Sequence, residues 1–434
     1  MENSDFEHFT NTFLRRMMVS MSQVQEKLQV PSTGISRGTS TYKRAVLAIL
    51  AAGLATFNAL YCTQALLPTI THELNISPSQ SALTISATTG MLALCIVPAS
   101  ILSEKFGRSK VLITSLTLAV LVGLILPFVP NIATLIALRG LQGALLAGTP
   151  AVAMTWLAEE INPKDLGHAM GVYIAGNTVG GLMGRMIPAG LLEITHWQNA
   201  LLGSSLAALV FGLIMVLLLP AQQNFHPKKI TLKRELNAMA THWKNPRLAL
   251  LFAVAFVAMG SFVSLYNYLG FRMIHQFGLS EVLVGAVFLM YLSGTWSSTQ
   301  AGKLRDKLGN GPAAIFLTLT MLLALAGLSI NNLWTTIISL FAFTAAFFAL
   351  HSSASGWVGL IATTDRAEAS SMYLFCYYLG SSLIGWVSGI IFSYQSWVVF
   401  IAWLGLLILG LLAITIALAK LEKQRLAKSV IAAV

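Results

Sequence analysis

A chain of 434 residues is long enough for about three soluble domains at roughly 150 residues each. Yet 56% of its residues are apolar, only 10% are charged and the mean hydropathy is +0.74, so polar side chains cannot cover a water-exposed surface. The same figures exclude intrinsic disorder and a collagen-like repeat, and the net charge of +11, which on a soluble protein would raise nucleic acid as a partner, falls in loops between apolar stretches, as expected at a membrane surface.

In chain order, residues 1–43 form a polar head that lacks the apolar core of a secretory signal and reads as a flexible cytoplasmic tail. Apolar stretches then predict twelve spans, over 45–69, 79–102, 109–129, 132–157, 169–192 and 199–219, then 248–272, 281–303, 312–330, 334–358, 370–393 and 398–419. Each is close to the roughly 20 residues that cross a hydrocarbon core about 30 Å thick. A basic linker, 220–247, separates the sixth span from the seventh, and a basic tail, 420–434, ends the chain. Lysines and arginines precede the first span and follow the even-numbered ones, whereas the opposite loops carry only Arg272. The positive-inside rule therefore puts both termini and the linker in the cytoplasm. Cys62, Cys95 and Cys376 lie inside predicted spans and read as small apolar residues rather than a disulfide framework.

Internal repetition sets the domain plan. Ser100 to Arg108 recurs as Gly302 to Asn310, displaced by 202 residues, with Glu104, Lys105 and Gly107 in register with Asp306, Lys307 and Gly309. Ala169, Tyr173, Gly180 and Trp197 recur as Ala369, Tyr373, Gly380 and Trp397, displaced by 200. Two parallel six-span halves, 44–219 and 248–419, follow from an even number of spans per repeat.

These residues resemble the major facilitator superfamily, most closely its drug:proton antiporter and sugar-efflux branch. The loop motif G-x-x-x-D-[RK]-x-G-R-[RK] is matched at Lys105, Gly107 and Arg108, with Glu104 in place of the Asp, and L-x-x-x-R-x-x-Q-G at Leu135, Arg139, Gln142 and Gly143. The antiporter motif G-x-x-x-G-P-x-x-G-G is matched in part: Gly176, Gly180 and Gly184 fit, whereas Gly181 replaces the Pro and Arg185 the last Gly. The resemblance implies an all-α membrane protein, a multi-pass and monomeric secondary transporter of the inner (plasma) membrane. It would export a small organic solute by proton-coupled alternating access, with no cofactor. Import or uniport of an organic anion or sugar is the alternative, and a membrane sensor or enzyme on the same fold is the competing class.

The residues themselves supply candidate roles. Glu104, Lys105, Gly107 and Arg108 with Glu159 or Glu160, and Arg305, Asp306, Lys307 and Gly309 with Asp365 or Glu368, are expected as paired cytoplasmic clamps, since topology alone hardly requires the acids. Gly176, Gly180 and Gly184 share one helix face, either as a packing seam or as the surface on which the halves rock. Arg139 and Arg185 lie about seven residues inside their spans, roughly 10 Å deep, where a lipid-facing charge would cost several kcal/mol, so both should face the bundle interior. Asn58, Gln64, Gln142, Tyr173, Asn177, Tyr266, Asn267, Trp296, His351 and Tyr377 are the expected polar and aromatic cavity residues. All 16 acids fall in tails, loops or helix ends. Without a mid-membrane carboxylate, the two arginines favour a neutral polar solute or an organic anion over a cation. No metal-ligand cluster, phosphate loop or nucleophile elbow is present, and the 28-residue linker is too short for a nucleotide-hydrolysing domain.

Overall fold

The computed structural model describes residues 34–431 apart from 226 and 228–230, and it forms sixteen α-helices and two short 3-10 turns. The amino-terminal half comprises α1 (Ser40–Tyr61), α2 (Leu67–Glu73), α3 (Pro78–Phe106), α4 (Arg108–Ile125), α5 (Ile132–Leu146), α6 (Pro150–Glu160), α7 (Pro163–Leu192) and α8 (Trp197–Leu218). A linker helix, α9 (Leu232–His242), follows. The second half comprises α10 (Pro246–His275), α11 (Glu281–Val287), α12 (Tyr291–Leu308), α13 (Asn310–Ser329), α14 (Leu333–Ile361), α15 (Arg366–Tyr394) and α16 (Trp397–Ile431).

Ten helical stretches among the described residues are long and apolar enough to cross a membrane. The other two expected spans are also helical. Span four is split into α5 and α6, because Pro150 opens a new helix and Gly148 and Thr149 bond back only as a turn. Span five is α7, whose glycines, Arg185 and terminal Lys164 and Asp165 lower its hydropathy. Two further spans expected as single helices are broken: span one turns at 62–66 between α1 and α2, and span eight passes through a 3-10 turn at Phe288–Met290 between α11 and α12. Helix starts follow ordinary capping chemistry. Ser77 and Gln80 form a capping box at α3, and Asn131 and Asn332, 201 apart, cap α5 and α14 by accepting from Thr134 and Thr335.

The repeat is visible in packing. Gly180 of α7 lies so close to α1 that an added Cβ would collide with the Leu54 carbonyl, and Gly380 of α15 meets the Phe256 carbonyl of α10 in the same way. Both the glycines and their neighbours are displaced by about 200 residues. The Gly176, Gly180, Gly184 seam thus packs α7 on α1 within one half, at Leu50, Leu54 and Asn58. Gly107 and Gly309, at φ of +99° and +83°, turn the chain between α3 and α4 and between α12 and α13.

Of the head expected to be flexible, residues 34–43 are tied down: Ile35 bridges Ile161, the Arg37 amide donates to Asp165, and α1 already begins at Ser40. Residues 1–33 lie outside the described residues. The tail expected from 420 continues α16 to Ile431.

Candidate functional site

The ends of the bundle differ. On the side opposite the linker, the halves are joined by Gln64 Nε2 donating to Asn267 Oδ1 (2.7 Å), Thr69 Oγ1 to Glu281 (3.0 Å), the Val282 amide to Glu193 (3.3 Å) and the Ser79 amide to Ser393 (3.2 Å). On the linker side, the charged groups pair within halves. Arg108 binds Glu104 and, at 3.0 Å, Glu159, while Arg305 reaches Asp306 at 3.6 Å. Glu160 is buried and accepts the Gln223 and Asn224 amides, so it holds the start of the linker. Lys105 lies over the Phe106 ring, and Lys307 is exposed. The Asp365 carbonyl accepts from His242 Nε2 of α9 at 3.0 Å.

The two intramembrane arginines are both buried but differ in their partners. Arg139 donates to the carbonyls of Ala59 (2.7 Å), Leu60 (2.6 Å) and Thr84 (3.1 Å), and to Gln142. Ala59 and Leu60 end α1, where carbonyls have lost their helical partners, so a cation there meets the negative end of the helix dipole. Arg139 staples span four to the break in span one, and Gln142 extends the staple to the Ala119 carbonyl.

Arg185 is 1% exposed and lies between the halves. It donates to Gln64 Oε1 (2.7 Å), the Gly181 carbonyl (2.6 Å) and the Tyr291 hydroxyl (3.1 Å). Its guanidinium carbon sits 4.0, 4.5 and 5.1 Å from the ring centroids of Tyr61, Tyr291 and Phe288. Each of these partners is neutral, and among the described residues no carboxylate pairs with it. Linked to it through Gln64, Asn267 has a buried Nδ2 donor without an acceptor.

Toward the linker side, the aromatic surface continues. His351 Nδ1 and the Tyr373 hydroxyl are 3.0 Å apart, and His351 lies 4.6 Å from Tyr377, which meets Tyr378 edge-on. Tyr61 and Tyr378 share one apolar cluster across the halves, with Phe57 and Tyr377 against it. Tyr173 is buried one turn from Asn177, whose Oδ1 is a buried acceptor without a donor. Tyr266 bonds Thr344 at 2.7 Å and stacks against Phe288, so it supports the Arg185 cage from behind.

Three expected polar and aromatic cavity residues lie elsewhere. Gln142 is taken up in the Arg139 staple. Asn58 is satisfied by Ser204 through both amide atoms, between α1 and α8. Trp296 is 60% exposed on the outer surface of the bundle. It follows the buried Gly294 by two residues, about 200° around the helix, which turns it away from the interior. Tyr291, Phe288, Thr69, Glu193 and Glu281 escape the sequence reading. The first two flank a break it did not place, and the acids read as helix ends.

The Major Facilitator Superfamily model matches residues 48–330. The chain belongs to this superfamily. It is 37% identical over 374 residues, 86% of this chain and 90% of the relative, to the inner membrane transport protein YnfM of Escherichia coli strain K12. It is 35% identical over 367 residues, 84% of this chain and 91% of the relative, to the uncharacterized MFS-type transporter YybF of Bacillus subtilis strain 168. Among solved structures, a bacterial homologue of the lysosomal transporter Spinster, inward-facing and occupied, matches with a TM-score of 0.70 at 15% identity, covering 87% of this chain and 96% of that one. The nucleoside transporter NupG matches with a TM-score of 0.68 at 14% identity, covering 87% and 99%. The fold and the family are those of a multi-pass membrane transporter.

Proposed function

We propose that this transporter moves a small organic anion by alternating access around Arg185, with the linker side facing the cytoplasm, an orientation that the distribution of basic residues supports. The observation that carries the reading is a buried guanidinium with only neutral partners, on the seam between two halves. Removing its charge from water costs several kcal/mol. Neutral hydrogen bonds and ring faces, each worth about 0.5–2 kcal/mol, offset part of that cost. A carboxylate or phosphate would supply the missing opposite charge, and Asn267 Nδ2 would supply a second donor. Arg139, already saturated by carbonyls, serves as the structural staple. The aromatic surface from Tyr61 to Tyr377 suits a solute with an apolar or planar body. Export and proton coupling rest on the partial antiporter motif, and a neutral polar solute is the second reading, because amide and phenol groups line the same seam.

The test uses the full chain in proteoliposomes with matched carboxylate, alcohol and amine compounds. The carboxylate should be transported, and Arg185→Gln should reduce that flux by at least about ten-fold. Transport of the amine alone, unchanged by Arg185→Gln, would reject the reading.

A further inference from the structure

An apolar groove of about 450 Å³ opens on the outer face of the amino-terminal half, between α3, α4 and the end of α5. Its walls include Cys95, Pro98, Leu102, Leu118 and Ala144, and Lys110 stands at its linker-side end. From Phe106 to Cys95 it follows α3 for eleven residues, about 16 Å at 1.5 Å per residue, which is close to half of a hydrocarbon core about 30 Å thick. Leu102, Phe106 and Leu118 on its rim are 43–53% exposed on a membrane-facing surface, where lipid tails would cover them favourably. Lys110 and neighbouring Lys105 are exposed, and neither has a carboxylate partner among the described residues. The nearby acids Glu104 and Glu159 are already engaged by Arg108.

The second half provides an internal comparison. A groove of about 300 Å³ between α12, α13 and α14 is lined by Gln300, Leu304, Thr320 and Ala345. The first three lie 202 residues beyond Pro98, Leu102 and Leu118. Where the repeat would place a partner for Lys110, the chain has Pro312, and no basic residue lines this groove. Trp296 forms part of its wall.

We propose that the α3–α4–α5 groove holds one acyl chain of an anionic phospholipid, with Lys110 on the phosphate and Lys105 adding to the field. The equivalent groove in the second half takes an acyl chain with Lys307, in register with Lys105, adding only to the field and no lysine at the Lys110 position to hold the headgroup. Bound lipid would lie against the end of α5, where Ser115 Oγ donates to the Leu145 carbonyl and span four breaks.

The full chain, taken from bilayers of equal phosphatidylglycerol and phosphatidylcholine, is analysed by native mass spectrometry for retained lipid. Phosphatidylglycerol should be retained preferentially by about five-fold, the increment expected for one lysine near the membrane surface. Lys110→Gln should abolish the preference. Ala144→Phe, which fills the groove, should remove one retained lipid together with the preference, whereas Ala345→Phe in the second groove should leave the preference intact. If Ala144→Phe fails to fold, Leu118→Phe takes its place. No preference in the unmodified protein overturns the proposal. So does a preference that survives Lys110→Gln, since the lysine would then not read the headgroup, or one that survives the groove-filling variant, since the lipid would then bind at the surface alone.

Discussion

Arg139 and Arg185 are at similar depth in neighbouring spans, yet their surroundings assign them different work. Arg139 meets carbonyls of α1 and α3, so Arg139→Gln should leave those carbonyls short of donors and destabilise the fold by about 3 kcal/mol or more. Thermal unfolding in detergent should show that loss, with substrate affinity in the surviving fraction little changed. Arg185→Gln should do the reverse, lowering anion transport while the melting temperature falls slightly or rises, because the buried charge is relieved. The sequence marked both arginines through their cost in hydrocarbon. It could not separate them, because the partners of Arg185 are contributed by spans one and eight, and Tyr291 directly follows the turn at Phe288–Met290.

Among the elements, the closest contacts are where glycine admits a neighbouring backbone. Gly180→Ala and Gly380→Ala should each push α7 from α1 or α15 from α10, costing about 1–3 kcal/mol, and the two losses should add because the sites lie in different halves. Unfolding midpoints of the single and double variants check this. The linker helix carries a pH dependence. Met239 of α9 joins Ile96 and Val97 of α3 in a cluster with Met372 and Phe375 of α15 against it. Burial raises the Glu235 carboxyl above its ordinary value, Glu368, Asp365 and Glu104 push the same way, and Arg234 opposes them. A carboxyl with a raised value in the docked helix holds its proton more tightly there. Acidification therefore favours docking, and docking weakens as pH rises through the raised value. A spin label at exposed position 236 should become less mobile as the pH is lowered, and Glu235→Gln should flatten the response. The span pattern, the repeat and the turn glycines were legible in the sequence because they depend on local hydropathy and backbone freedom. The breaks at 62–66 and 147–149 were not, since the carbonyls they release are satisfied by Arg139 and Ser115 from other helices.

For the molecule as a whole, the halves meet through Gln64–Asn267, Thr69–Glu281 and Glu193–Val282 on the side opposite the linker. Arg305 and Asp306 stay together within one half on the linker side. Hydrogen bonds to charged groups are worth about 1.5–3 kcal/mol, so Glu281→Ala should shift the balance toward opening of the opposite side by about ten-fold. Asp306→Asn should act on the other conformer, weakening closure of the linker side and shifting the population toward the linker-side-open form. Distances between spin labels on the two halves, compared in each variant, read both shifts.

The most direct test places one label pair at positions 73 and 279, on the side opposite the linker, and another at 158 and 364, on the linker side, then measures both distances with and without a transported organic anion. The two distances should change reciprocally when the anion is added, one lengthening as the other shortens, and Arg185→Gln should abolish that response while the protein remains folded. Distances that do not respond to the anion, or that respond equally in Arg185→Gln, would contradict alternating access around Arg185.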